Sequence, residues 1–135
     1  MFNTHTLWMV EYDYPMRVRA IRGAIQVSAN TVAEIAAGVK ELMPAILQAN
    51  EIEIDDLISV IFTATPDLTA DFPAASAREI GFGAVPLICA SEIAVPGALE
   101  RVIRVMVHAN FASEDGEITH IYLKGATALR RDLAQ

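Results

Sequence analysis

One cysteine, Cys89, stands in the whole chain of 135 residues, so no disulfide can form within it. That usage fits a reducing compartment, and a cytoplasmic setting is expected. No apolar stretch is long enough to span a bilayer. The first fifteen residues, MFNTHTLWMVEYDYP, lack the basic start of a secretory leader. No membrane partner is expected. Positive charge is scarce too: 10 Lys and Arg against 17 Asp and Glu leave a net charge of −7. A general nucleic-acid binder needs a basic face, so nucleic acid is not an expected partner. There is no G-x-G-x-x-G and no P-loop, which removes support for nucleotide binding. His5, His108 and His120 are scattered, with no H-E-x-x-H and no cysteine pair, so no metal site is expected. No G-x-S-x-G elbow occurs. Cys89 with a histidine is the remaining covalent arrangement, and a lone cysteine in PLICA reads more simply as a small core residue.

What the chain has is apolar surface in surplus: 53% hydrophobic residues and a mean hydropathy of +0.36. For one small domain the excess points to burial between copies, hence an oligomer. Residues 1–15 read as an N-terminal extension before Met16, packed through Leu7, Trp8, Val10 and Tyr12. Residues 16–135 read as a single domain.

Within it, MRVRAIRGAIQV alternates as a strand, with Gly23 marking a bulge or a close backbone approach. Thr31 and Glu34 form a T-x-x-E capping box. Val32, Ile35, Val39, Leu42, Met43, Ile46 and Leu47 then recur at helical spacing to about Ala49, with a kink expected at Pro44. DLISVIFTAT is a buried strand. Asp71 is expected to cap a short helix from Phe72 to Ile80, ended by Gly81. AVPLICA is a third strand, ERVIRVMVHANF a long fourth and ITHIYLK a fifth; GATALRRDL closes as a helical turn. The expected fold is α+β, a five-stranded sheet with one long helix on one face. The other face needs cover, which sheets packed around a symmetry axis supply.

Arginines are the informative residues. Arg19, Arg22, Arg78, Arg104 and Arg130 lie inside or beside apolar runs. A guanidinium keeps its charge, so a half-buried one needs an anion nearby. In RVIRVMV, Arg104 shares a face with Val102 and Met106, and Arg101 falls on the other. The bland alternative for Arg104 is a strand-end arginine reaching to water or pairing with Glu92 across the sheet. Glu92 alone reads as a salt-bridge carboxylate and Tyr122 alone as a half-buried strand aromatic. If several arginines converge, their partner is a ligand carrying carboxylates or phosphates.

Five blocks occur in order: RAIRGA (Arg19–Ala24), ATPDLTADFPAASARE (Ala64–Glu79), VPLICASE (Val85–Glu92), IRVMV (Ile103–Val107) and HIYLKGATALR (His120–Arg130). Together they resemble the single-domain α/β chorismate mutases, the trimeric AroH class distinct from the all-helical one, from about Met16 to Leu133. The resemblance implies a mixed five-stranded sheet in a homotrimer with a barrel-like core and active sites at subunit interfaces. It implies an isomerase of aromatic amino-acid biosynthesis, on the shikimate pathway, that turns chorismate into prephenate by an intramolecular Claisen rearrangement. It implies no cofactor, no metal and no covalent intermediate.

By the same resemblance, Arg104 donates to the ether oxygen and to a carboxylate, Arg22 clamps a carboxylate, and Tyr122 donates to one as well. Glu92 and the Cys89 backbone hold the ring hydroxyl. Phe72 and Leu129 wall the ring, while Leu87 and Ile88 complete the binding set. Arg78 of a neighbouring subunit and Arg130 of the tail draw in and enclose the anion. Two positions depart from the family pattern: Ala75 stands where a lysine is usual, and Ile88 where a threonine is usual. Two other readings were open to the sequence. A trimeric imine or enamine deaminase would need its own motif around its arginine, which is missing. A non-catalytic sensor of a small dianion would not need Arg104.

Overall fold

The computed structural model describes residues 16–112 and 117–130. The expected packing of Leu7, Trp8, Val10 and Tyr12 lies outside them, as does the end of the C-terminal turn. Among the described residues no helix is long and apolar enough to cross a membrane.

Strand β1 (Arg17–Gln26) opens the domain, and helix α1 (Val32–Asn50) follows. A 3-10 turn, Ile54–Asp56, leads into β2 (Leu57–Ala64). Helix α2 (Pro73–Ala77), β3 (Leu87–Ser91), β4 (Val102–Phe111) and β5 (Ile121–Leu123) complete the order, and a 3-10 turn, Lys124–Ala128, closes it. The sheet runs β3-β2-β4-β1-β5. β4 lies antiparallel to both β1 and β2, whereas β2–β3 and β1–β5 are parallel, so the sheet is mixed as expected.

Helix α1 begins where the sequence placed it. Thr31 is the N-cap, and its hydroxyl accepts from the Glu34 amide at 3.1 Å. The other half of the expected box is replaced: the Glu34 carboxylate accepts from Ser28 Oγ at 2.7 Å. The helix runs to Asn50 as one element through an exposed Pro44. Ile35, Val39, Leu42, Met43 and Ile46 are buried against one sheet face, which offers Ile21, Ile25, Val60, Phe62, Ile103, Val105 and Val107. Val32, expected on that stripe, is 56% exposed. Gly23 marks close approach and not a bulge, because its pairing with β4 is unbroken. A Cβ there would lie 2.6 Å from Ile46 Cδ1. The bare backbone therefore lets α1 sit directly on β1.

The short helix differs from expectation. Its N-cap is Phe72, with Pro73 at the first helical position, and Asp71 accepts only from the next amide, at 2.7 Å. The helix passes after Ala77 into a wider turn, Arg78–Phe82, where Gly81 takes φ +106°. β5 is also shorter than the expected seven residues. Asn50, buried at the end of α1, donates to Thr119 O and accepts from Thr119 N, at 2.9 and 2.8 Å. A side chain thus takes the bonds a strand partner would have held.

Candidate active site

The sheet face away from α1 carries Arg22, Arg104 and Tyr122, three of the expected site residues. Register sets which residues share it. Ala24 and Thr63 both pair with Arg104, Arg22 and Ile61 with Met106, and Tyr122 with Ala24. Paired residues point to the same side of a sheet, so Arg22, Thr63, Arg104, Met106 and Tyr122 gather on one face. They line a cleft of about 220 Å³ together with Ile61 and Arg130. A neighbouring hollow, under the loop from Glu92 to Glu100, shares Arg104 and adds Glu92 and Leu129. The floor between them is a small cluster of Ala24, Val102, Tyr122 and Ala126, with Leu99 and Leu129 packed on it.

Arg104 Nε stands 3.2 Å from Glu92 Oε2, and the Thr63 hydroxyl donates to the same oxygen at 2.7 Å. The pairing with Glu92 foreseen as the bland alternative is therefore real. It still leaves the terminal NH2 groups of the guanidinium for a ligand. Glu92 is drawn to this place because its amide extends the β2–β3 pairing, donating to Ala64 O at 2.9 Å. Tyr122 is buried, at 4% exposure. Arg101 turns away at φ +54°; its amide donates to Asp67 and its Nε to Val27 O.

The cleft thus unites Arg22, Arg104, Tyr122 and Arg130, with Glu92 and Leu129 at its rim. Other expected site residues lie elsewhere within a single chain. Leu87 and Cys89 pair with Val60 and Phe62, which puts them on the helix-covered face, packed against the core. Ile88 pairs with Ile61 on the open face and is 61% exposed. Phe72 is 69% exposed at the start of α2, and Arg78 is exposed at its end. Arg19 pairs with Ala109 and lies on the face opposite Arg22.

Thr63 and His120 escaped the sequence reading. Thr63 looked like an ordinary β-branched strand residue; alternation with buried Phe62 puts it on the open face, and the register of β2 on β4 sets it beside Arg104. His120 Nδ1 accepts from the Arg22 amide at 2.9 Å. Burial, with the charges of Arg22 and Arg130 beside it, holds its pKa below the ordinary 6.5. Among the described residues no cluster of His, Cys, Asp and Glu is arranged to hold a metal ion.

Guanidinium groups and a phenol gathered on an open sheet face define a protein built to hold a multiply charged small anion. Comparison makes the assignment particular. Residues 18–133 match the family described as chorismate mutase type I, and the chain belongs to that family. It is 47% identical over 117 residues to Chorismate mutase AroH of Thermus thermophilus, covering 86% of this chain and 96% of that protein. The Bacillus subtilis (strain 168) protein of the same name is 38% identical over 120 residues, covering 88% and 94%. A solved chorismate mutase from Clostridium thermocellum superposes with a TM-score of 0.78 at 48% identity, over 82% of this chain and 98% of that one. The chain is accordingly an isomerase of the chorismate mutase class.

Proposed function

We propose that chorismate rearranges to prephenate in the cleft formed by Arg22, Arg104, Tyr122 and Arg130. The observation that carries this is their convergence on one cleft, from three strands and the segment just beyond the closing turn. The substrate is a dianion whose ether C–O bond breaks as a C–C bond forms in the same molecule. No proton needs to move, so no acid or base is required. The protein's work is to select the compact conformer and to stabilise charge growing on the ether oxygen.

Arg104 suits the ether oxygen. Its Nε is held by Glu92, so the terminal NH2 groups are oriented before substrate arrives. Arg22 and Tyr122 suit the carboxylates, and Arg130 covers them from just beyond the closing turn. Glu92, steadied by Thr63, has a second oxygen to accept from the ring hydroxyl. Leu129 gives an apolar wall.

A homotrimer completes this reading. The cleft face is open; Ile88 on that face and Ile93 and Val95 of the loop beside it are more than half exposed, as is Phe72 at the start of α2. Those side chains, with Arg78, are the groups a second copy would bring over the cleft. The test pairs two measurements on purified protein: loss of chorismate absorbance with prephenate appearing, and mass in solution. Turnover by a trimer is expected. A fully active monomer would refute the interfacial site, and absence of turnover would refute the cleft assignment.

A further inference from the structure

We propose that His120 is a positioning residue, whose ring receives the Arg22 amide and thereby fixes β5 beside β1 where Arg22, Tyr122 and Arg130 converge. The inference rests on the cleft reading above and adds to it a residue that lines no part of the cleft. The β1–β5 pairing covers only Gly23 to Ile25 against Ile121 to Leu123. The Arg22 amide lies one residue before that pairing, and His120 Nδ1 takes its proton at 2.9 Å. One residue earlier still, Thr119 is held through both its backbone groups by Asn50. β5 therefore enters the sheet under two side-chain clamps in succession. Tyr122 follows two residues after the second, and Arg130 lies beyond the turn that β5 feeds.

The clamp works only with a lone pair on Nδ1, which places the single proton of the neutral ring on Nε2. The surroundings favour that state. Burial lowers the pKa of the ring, and the charges facing it, Arg22 from β1 and Arg130 beyond the closing turn, lower it further. From α1, the uncharged Asn50 faces the same segment. Tyr122, on β5 itself, is the other titratable neighbour in the strand. Protonation at Nδ1 would turn the acceptor into a donor facing a donor. It would also set a third positive charge beside two guanidinium groups. Because the pKa lies below 6.5 in the folded protein, the clamp is intact at neutral pH and is lost as pH falls through that lowered value.

The test uses two variants and the wild type. In His120→Asn the side-chain oxygen replaces Nδ1 as acceptor and does not titrate. In His120→Phe the acceptor is gone. Near pH 8, His120→Asn should keep kcat/KM within about threefold of wild type, and His120→Phe should lose about tenfold to a hundredfold, the scale of an ångström-sized misplacement. Wild-type kcat/KM should fall on acidification below 6.5, with that limb missing from His120→Asn. Equal activity of His120→Phe and wild type overturns the proposal, and so does an acid limb unchanged in His120→Asn. A rise in wild-type kcat/KM in acid, from added attraction for the dianion, overturns it as well. Thermal unfolding against pH reads the clamp without substrate. Wild type should lose more Tm below 6.5 than His120→Asn does, and parallel curves contradict the clamp. An enzyme that turned over no chorismate yet showed this Tm difference would sink the cleft assignment and leave the clamp standing.

Discussion

Arg104 Nε lies 3.2 Å from Glu92 Oε2, so a carboxylate holds the guanidinium that faces the cleft before any ligand arrives. The Arg104 side chain is 46% exposed, and a pair so open to solvent adds little stability. Its value is geometric: one N–H is spent to aim the others.

Arg104→Lys keeps the charge and loses the fork. The expected loss in kcat is about a hundredfold to a thousandfold, the effect of removing one preorganised donor. Circular dichroism and Tm should stay near wild type, because the side chain is half in water. Turnover within a few fold of wild type contradicts the role given to Arg104.

Thr63→Val keeps the shape of the strand residue and removes the 2.7 Å bond to Glu92. Glu92 then has one holder in place of two. We expect kcat/KM to drop about tenfold, as loss of a hydrogen bond to a charged group does, with Tm nearly unchanged. If kinetics are unaltered, Thr63 has no part in aiming Glu92.

Gly23→Ala should destabilise the fold by about 1–3 kcal/mol through overpacking. The new methyl would meet Ile46 Cδ1 at 2.6 Å, with Val105 Cγ1 at 3.1 Å. Ile46→Val removes that Cδ1. In a double-mutant cycle by urea unfolding, the pair should be less destabilised than the sum of the single changes. Strict additivity refutes the account of how α1 seats on β1.

Asn50→Leu removes three hydrogen bonds and leaves both backbone groups of Thr119 without their partner. The expected cost is about 1–4 kcal/mol, since a stranded buried group carries about 1–3 and the Thr119 groups are half-buried. A change in Tm no larger than that of a surface substitution would show that β5 does not depend on this clamp.

The framework was legible where periodicity and capping agree. Alternation located β1, the apolar stretches DLISVIFTAT and ERVIRVMVHANF marked β2 and β4, and T-x-x-E located the start of α1, because those signals are local. Asp71 misled because Pro73 at the first helical position makes Phe72 the cap. ITHIYLK misled because Asn50, nearly seventy residues earlier, takes the bonds of Thr119, which no local pattern displays. The facing of Arg104 against Arg101 was readable, as was the bond to Glu92. The service of Thr63 and His120 was not, since a hydroxyl in a β-branched residue and an isolated imidazole look structural until register aligns them. The second sheet face, expected to need cover because one long helix covers only the first, carries the cleft.

The most direct measurement is the rate of chorismate loss, with prephenate quantified, for wild type and for Arg104→Lys at equal concentration of folded protein. The account predicts saturable, stoichiometric conversion by wild type and a rate lower by about two orders of magnitude or more in the variant. Conversion by wild type no faster than in buffer, or equal rates for the two proteins, would contradict it.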